Sequence, residues 1–205
     1  MCGRFQLKID ARMLAKIFDA ALTVDSFEFE GEIFPSEDAP VIISNPREKQ
    51  KRRLGLMKWG FKLPYSSRLL INARSETIDE KPTFKKPFQN KRCLIPAGAF
   101  FEWSGPKGNK TKHKITVENQ EIFALAGIYD KFLTDEDEEF WAFTIITTEA
   151  NPQLAGIHDR MPAILPEKDL DTWLDPESQP ARAKELLRPY HSQLIIEPPE
   201  AESLF

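Results

Sequence analysis

Cys2 is the residue whose position carries the most chemistry. Met1, standing before a residue as small as cysteine, is ordinarily removed by methionine aminopeptidase, which leaves Cys2 with a free α-amine. Such an amine titrates near ~7.7–8.0, so a usable fraction is neutral at physiological pH. It adds to an aldehyde to give an imine, and the thiol on the neighbouring carbon then closes a five-membered thiazolidine. While Met1 stays attached, the nitrogen is an amide and this chemistry is blocked. The plainer reading is a chance cysteine in a frayed terminus.

Three His and two Cys leave few other candidates for acid, base or nucleophile. Glu102 sits in AFFEW (99–103) between Phe101 and Trp103. Partial burial among aromatics would raise its pKa and suit it to proton transfer; a solvent-facing place on an alternating strand is the alternative. His158, followed by Asp159 and Arg160, is either a proton shuttle or a hydrogen-bonded turn residue. Asn72 could orient a substrate through its amide or cap a turn. Arg74 could meet a phosphate or pair with Glu76.

Many short strands position these residues. Asp10 reads as an N-cap before ARMLAKIFDA, in which Met13, Leu14, Ile17 and Phe18 share a helical face. A Glu-rich loop follows, then the strands PVIIS (40–44) and RRLGLMKWGF (52–61), with a break at 64–67. KRCLIP (91–96) and AFFEW lead into GPKGNKTKH (105–113), a hairpin loop by its Gly, Pro and Asn. KITVE, EIFALAGIYD (121–130) and EFWAFTIITT (139–148) are β-rich, with an acidic turn at 134–139. Helical patterns return only late, at 168–174 and 181–187, before the strand QLIIE (193–197). The pattern predicts an α+β fold with a mixed or antiparallel barrel-like sheet flanked by a few helices. No linker or repeat interrupts the chain, so residues 1–205 read as one domain.

The 205 residues are 41% hydrophobic and 29% charged, enough to bury a core without disulfides or metal. No apolar run approaches a membrane span and no signal-like leader is visible, so a soluble, cytoplasmic protein is expected. Two cysteines make neither a disulfide framework nor a cysteine-rich zinc site. The net charge of −4 hides a division: 22 Lys/Arg against 13 Asp/Glu in residues 1–115, and 6 against 19 thereafter. The basic residues gather at 49–53, at 81–92 and at 107–114. Such asymmetry fits a polyanion-binding face, although solvated loops and strand edges would produce it too.

Taken together, MCGRF (1–5), PSEDAPV (35–41), KWGF (58–61), NARSET (72–77), RCLIPAGAFFEW (92–103), FALAGIYD (123–130), FTIITTEAN (143–151) and IHDRMPAIL (157–165) resemble the SOS-response-associated peptidase (SRAP) family, block by block and in order. The resemblance implies a protein of the DNA-damage and SOS response that shields abasic sites in single-stranded DNA. In it, Cys2 freed of Met1 forms a thiazolidine cross-link with the ring-opened deoxyribose. It places Asn72, Glu102 and His158 at the other active-site positions: Asn72 to hold amine and sugar, Glu102 to exchange protons, His158 to assist sugar opening. Cysteine-type removal of its own Met1 and a lyase activity are further expectations. For DNA contacts it points to Arg4, Arg74 and Arg160 at phosphates, Pro35, Trp59 and Trp103 as wedges or stacking faces, and Thr148 and Met161 beside the lesion; Trp59 reads equally as core. Lys85 and Lys86 are weaker candidates. The hairpin after AFFEW departs from the family pattern in being locally basic. No cofactor, metal or membrane is expected, and the protein is expected to be a monomer. Two other classes stay open: an N-terminal-nucleophile cysteine amidase or peptidase acting on other substrates, and a noncovalent reader of modified bases.

Overall fold

β1 (Phe5–Asp10) runs into helix α1 (Ala11–Ile17), followed by β2 (Ala20–Leu22), β3 (Glu28–Ile33), β4 (Asp38–Ser44) and β5 (Arg52–Trp59). The short strands β6 (Phe61–Lys62), β7 (Leu69–Leu70) and β8 (Asn72–Arg74) precede helix α2 (Pro82–Asn90). Then come β9 (Arg92–Ala97), β10 (Ala99–Ser104), β11 (Thr111–Val117), β12 (Phe123–Leu133) and β13 (Glu139–Glu149). β14 (Arg160–Pro162), β15 (Ile164–Leu165), helices α3 (Leu170–Leu174) and α4 (Pro180–Glu185) and strand β16 (Leu194–Ile196) complete the order. The structure is a computed structural model and describes residues 2–45, 51–63, 66, 68–106, 108–134 and 136–197. Parts of the basic cluster at 49–53, of the break at 64–67, of the hairpin (Lys107) and of the acidic turn (Asp135) lie outside these residues.

β13, β12, β9, β4 and β5 are antiparallel neighbours in that order, and β5 then pairs in parallel with β13 through Ala142↔Lys58 and Phe143↔Trp59. The ring therefore closes, which is the barrel the strand pattern predicted; closure removes its exposed edges. Across the closing seam the rings of Trp59 and Phe143 lie within 8° of parallel, 6.2 Å apart. A second, antiparallel sheet in the order β16-β11-β10-β1-β3 lies against the barrel. Phe5 of β1 packs on Trp59 at 5.1 Å, and Phe100 of β10 on Phe123 at 6.5 Å. One apolar cluster runs through both sheets.

Three expectations change. The Glu-rich segment is not a loop: β3 pairs along all of β1, from Phe5↔Ile33 to Asp10↔Glu28. It lies at a sheet edge, where charged side chains keep unpaired backbone soluble. The lysine- and proline-rich stretch after 81 forms α2, with Pro82 in its first turn and Phe84, Pro87 and Phe88 buried. An interior proline such as Pro87 costs ~3 kcal/mol in an exposed helix; here Phe84 packs on Phe61 and Phe88 on Trp173, and that burial prevails. In α1 the Asp10 carboxylate accepts from the Met13 N–H at 2.9 Å, as its sequence implies. Leu14 and Phe18 are buried, but Met13 and Ile17 are about half exposed, so the apolar stripe is wider than the face that packs.

Candidate active site

Residues 2–4 extend β1 toward the end of β10. Phe5 lies opposite Phe100, and the Phe101 N–H donates to the Arg4 carbonyl at 3.0 Å. This register carries Cys2 to the part of β10 that holds Glu102. β13 supplies the rest of the frame: β8 pairs with it in parallel, Asn72 beside Ile145 and Arg74 beside Thr147. β14 pairs with the same end of β13, Arg160 opposite Glu149, and so brings in the 157–160 segment. The two polar segments are then locked together. The Arg160 guanidinium donates to both Glu76 carboxylate oxygens at 2.6 and 2.9 Å and to the Thr147 carbonyl at 2.6 Å.

Two of the four proposed catalytic groups, Cys2 and Asn72, are joined by a hydrogen bond, and a third, Glu102, acts on the Cys2 thiol through its charge. Cys2 is fully buried, and its carbonyl accepts from Asn72 Nδ2 at 2.9 Å. The other amide atom, Asn72 Oδ1, is buried and has no hydrogen-bond partner among the described residues. Burial pushes the Cys2 thiol far above its ordinary pKa, and the Glu102 charge pushes it further. Glu102 is 2% exposed, and burial raises its carboxyl, with Asp159 adding to the effect. A carboxyl raised by burial holds its proton more readily than an exposed one, which suits it to proton transfer. The fourth group, His158, is half-buried, and burial lowers its pKa. Lys110 and Asp159 act electrostatically on both Glu102 and His158, which places the two in one neighbourhood. The Arg160 N–H donates to His158 Nδ1 at 2.9 Å. In the neutral ring that bond leaves the proton on Nε2, so His158 offers a donor there. Asp159 Oδ1 stands 2.8 Å from the same Nδ1 and pairs with it once the ring is protonated.

The DNA-contact candidates divide. Arg74 is exposed, and Pro35 and Trp103 are half-buried. The Arg4 guanidinium pairs with Glu32 at 2.9 Å and lies over the rings of Phe34 (4.3 Å) and Trp103 (5.1 Å). Trp59 is a core residue: it is fully buried and donates through Nε1 to the Ile71 carbonyl at 3.0 Å, so it has no face for a base. Met161 and Thr148 are likewise buried, at 0% and 1% exposure, and present no surface to a strand in this conformation; the Thr148 hydroxyl donates to the Glu149 carbonyl. Arg160 is 8% exposed and occupied by Glu76, so its contacts hold the frame rather than reach outward. Lys85 and Lys86 lie on the exposed side of α2.

Several neighbours of the site were not singled out in the sequence. Glu32 bridges Arg4 and Lys112, and Lys112 lies 4.2 Å from the Phe101 ring. Phe34, 40% exposed, covers Arg4. His113 lies opposite Glu102 across the β10–β11 hairpin. A hairpin closed around Gly105–Lys110 pairs residues whose numbers sum to a constant, and that arithmetic would have found His113. Among the described residues no group of three or more His, Cys, Asp or Glu side chains could hold a metal ion, and no helix is long and apolar enough to cross a membrane.

Residues 1–200 match the family described as SOS response associated peptidase (SRAP). The chain is 39% identical over 201 residues to the abasic site processing protein YoqW of Bacillus subtilis, covering 93% of this chain and 88% of that protein. It is 31% identical to the abasic site processing protein HMCES of Gallus gallus, over 76% of this chain and 56% of that one. A crystal structure of a protein from Bacteroides thetaiotaomicron superposes with a TM-score of 0.83 at 29% identity, covering 95% of this chain and 90% of that one. With the family match over nearly its whole length, the motifs in order and the fold in common, the chain belongs to the SRAP family.

Proposed function

We propose that this protein captures abasic sites in single-stranded DNA covalently, through the α-amine and thiol of Cys2 once Met1 is gone. The observation that carries the reading is the Cys2 pocket itself: a buried cysteine held through its carbonyl by Asn72, beside a carboxyl raised by burial. The amine attacks the aldehyde of the ring-opened deoxyribose. Glu102 delivers a proton to the departing hydroxyl and then takes the thiol proton as sulfur closes the ring. His158 donates from Nε2 toward the sugar hydroxyl, and Asn72 Oδ1 accepts from the amine or the sugar. Names given to the relatives, abasic site processing protein, agree with this substrate. A thiol held protonated is a poor nucleophile, which favours a sequence in which the amine reacts first. Self-removal of Met1 and a lyase outcome belong to the same reading. Exposed Arg74 and half-buried Trp103 are the groups we assign to phosphate and base contact, in a monomer that works in the cytoplasm or on the nucleoid.

The test mixes protein whose Met1 has been removed with a single-stranded oligonucleotide bearing one abasic site and resolves the products on a denaturing gel. A shifted band is expected for the wild type with the abasic strand, and none for Cys2→Ala or for an intact strand. An equal band with Cys2→Ala overturns the mechanism. Absence of any band, with a free Cys2 amine verified by mass spectrometry, moves the assignment to the amidase class.

A further inference from the structure

Glu102 is sealed from water, and when Cys2 enters as its ammonium form, which must lose a proton before the nitrogen can attack, capture leaves one proton to dispose of. The ammonium and thiol of Cys2 bring four protons on nitrogen and sulfur. When the C–N and C–S bonds form at the aldehyde carbon and its oxygen leaves as water, the thiazolidine N–H keeps one proton and the water takes two. One proton per adduct must therefore reach solvent: an ionised Glu102 takes a proton from the ammonium, passes it to the departing hydroxyl, and is left holding the thiol proton once sulfur has closed the ring.

The β10–β11 hairpin supplies an exit. His113 stands directly opposite Glu102, and Thr111 opposite Ser104. Directly opposed residues of an antiparallel pair share a face with Cβ atoms about 4.5–5.5 Å apart, and residues two apart on one strand share it at about 6.5–7 Å. Glu102, His113 and Ser104 thus form a row on one face, which continues inward to fully buried Phe100 and Ile115. His113 Nε2 and Ser104 Oγ are 2.7 Å apart. Exposure rises outward along the row: Glu102 is buried, His113 and Ser104 half-buried, Gly105 exposed. The turn beyond is fixed by Gly105, whose φ of +93° and approach to the Asn109 carbonyl (2.6 Å from an added Cβ) exclude a side chain.

We propose that His113 and Ser104 form a proton relay between Glu102 and bulk water. The inference rests on the covalent-capture reading and deepens it. An imidazole can accept on one nitrogen while releasing from the other, and a hydroxyl passes a proton in the same way. The charged groups that act on Glu102 are Lys110 in the hairpin and Asp159 from the segment before β14, and the same two act on His158. His113 acts through Glu102 and does not touch the sugar.

The experiment follows single-turnover capture in dilute buffer by wild type, His113→Gln and Ser104→Ala, with and without added imidazole. Glutamine still hydrogen-bonds to Ser104 but carries no exchangeable charge. Proton transfer by a positioned side chain contributes about 10²–10⁴-fold, so loss of the relay is expected to slow capture about tenfold or more. Added imidazole is expected to restore the rate, while affinity for a strand carrying a tetrahydrofuran analogue, which has no aldehyde, stays at the wild-type value. Wild-type rates in both variants overturn the relay, as does a loss that imidazole leaves unrestored. Weakened binding of the analogue would identify the pair instead as a phosphate contact. Absence of adduct with the wild type itself strikes the capture reading, a result distinct from any of these.

Discussion

Glu102 and Asn72 show how a single substitution separates chemistry from folding. The folded-state pKa of Glu102 is raised, chiefly by burial. A raised carboxyl favours the fold fully below its unfolded value of about 4.3, and that contribution is lost as pH rises through the folded pKa. Glu102→Gln removes the titration, so its melting temperature is expected to climb relative to wild type from acid toward neutral pH, by about 2–4 °C for each kcal/mol. Thermal melts across that range check it; a constant difference contradicts the raised pKa. The same variant is expected to slow capture. Asn72→Ala loses the bond to the Cys2 carbonyl, a cost of about 0.5–1.5 kcal/mol in stability, and is expected to reduce the capture rate out of proportion to that loss, read in the single-turnover assay. Residue types made Cys2, Asn72 and Glu102 candidates, each with a plainer reading beside it, and the resemblance joined them into one proposed site. What they could not locate was the cost of burial: nothing within KWGF distinguishes a stacking tryptophan from Trp59 pressed between Phe5 and Phe143.

At the scale of elements, two arginines hold the site's supports in place. Arg160 joins β14 to the turn after β8 through Glu76, whose carboxyl is held below its ordinary range chiefly by that hydrogen bond. Hydrogen bonds to charged groups contribute about 1.5–3 kcal/mol, so Glu76→Gln is expected to destabilise by that order in urea denaturation. It is also expected to loosen Asn72 relative to His158, slowing capture. Arg92 is 4% exposed and donates to the carbonyls of Phe88, Gln89, Trp173, Asp175 and Ser178. It caps the C-terminal ends of α2 and α3 at once, supplying donors that helix ends lack. Arg92→Met is expected to cost about 3 kcal/mol or more by leaving several carbonyls unpaired, again measured in urea. The sequence showed most strands because apolar alternation is local. It hid α2, since Pro82 and Pro87 argue against a helix until Trp173, far along the chain, comes to pack on it. It hid β3 because its alternating glutamates look like a solvated loop until β1 pairs with them.

For the whole molecule, the division of charge along the sequence reads differently once folded. Many of the basic side chains are already engaged: Arg4 and Lys112 with Glu32, Lys91 with Asp130, Lys131 with Glu139, Arg52 with Asp171. The number of phosphates neutralised should therefore be small. Binding to single-stranded DNA is expected to weaken with salt with a slope of about −0.7 per phosphate contacted, and Arg74→Ala to reduce that slope by about one contact. Fluorescence titrations over a salt series measure it; a slope unchanged by the substitution removes Arg74 from the phosphate contacts. Strand pairing onto β13, and of β1 with β10, gathers the elements that carry residues 2, 72, 102 and 158, the groups assigned above to the proposed capture. The C-terminal end of β13 is flanked by β8 on one side and β14 on the other, while β1 and β10 bring in the remaining pair.

The complete burial of Cys2 bears on how long the protein stays serviceable. A thiol is oxidised or alkylated through its thiolate and in proportion to its accessibility. Held protonated and out of contact with solvent, Cys2 should resist peroxide, glutathione disulfide and iodoacetamide in the native fold and yield to them once unfolded. Under the capture reaction proposed above, Cys2 is spent on a single adduct with no turnover through which to recover a damaged thiol, so durability while waiting would matter as much as speed on encounter.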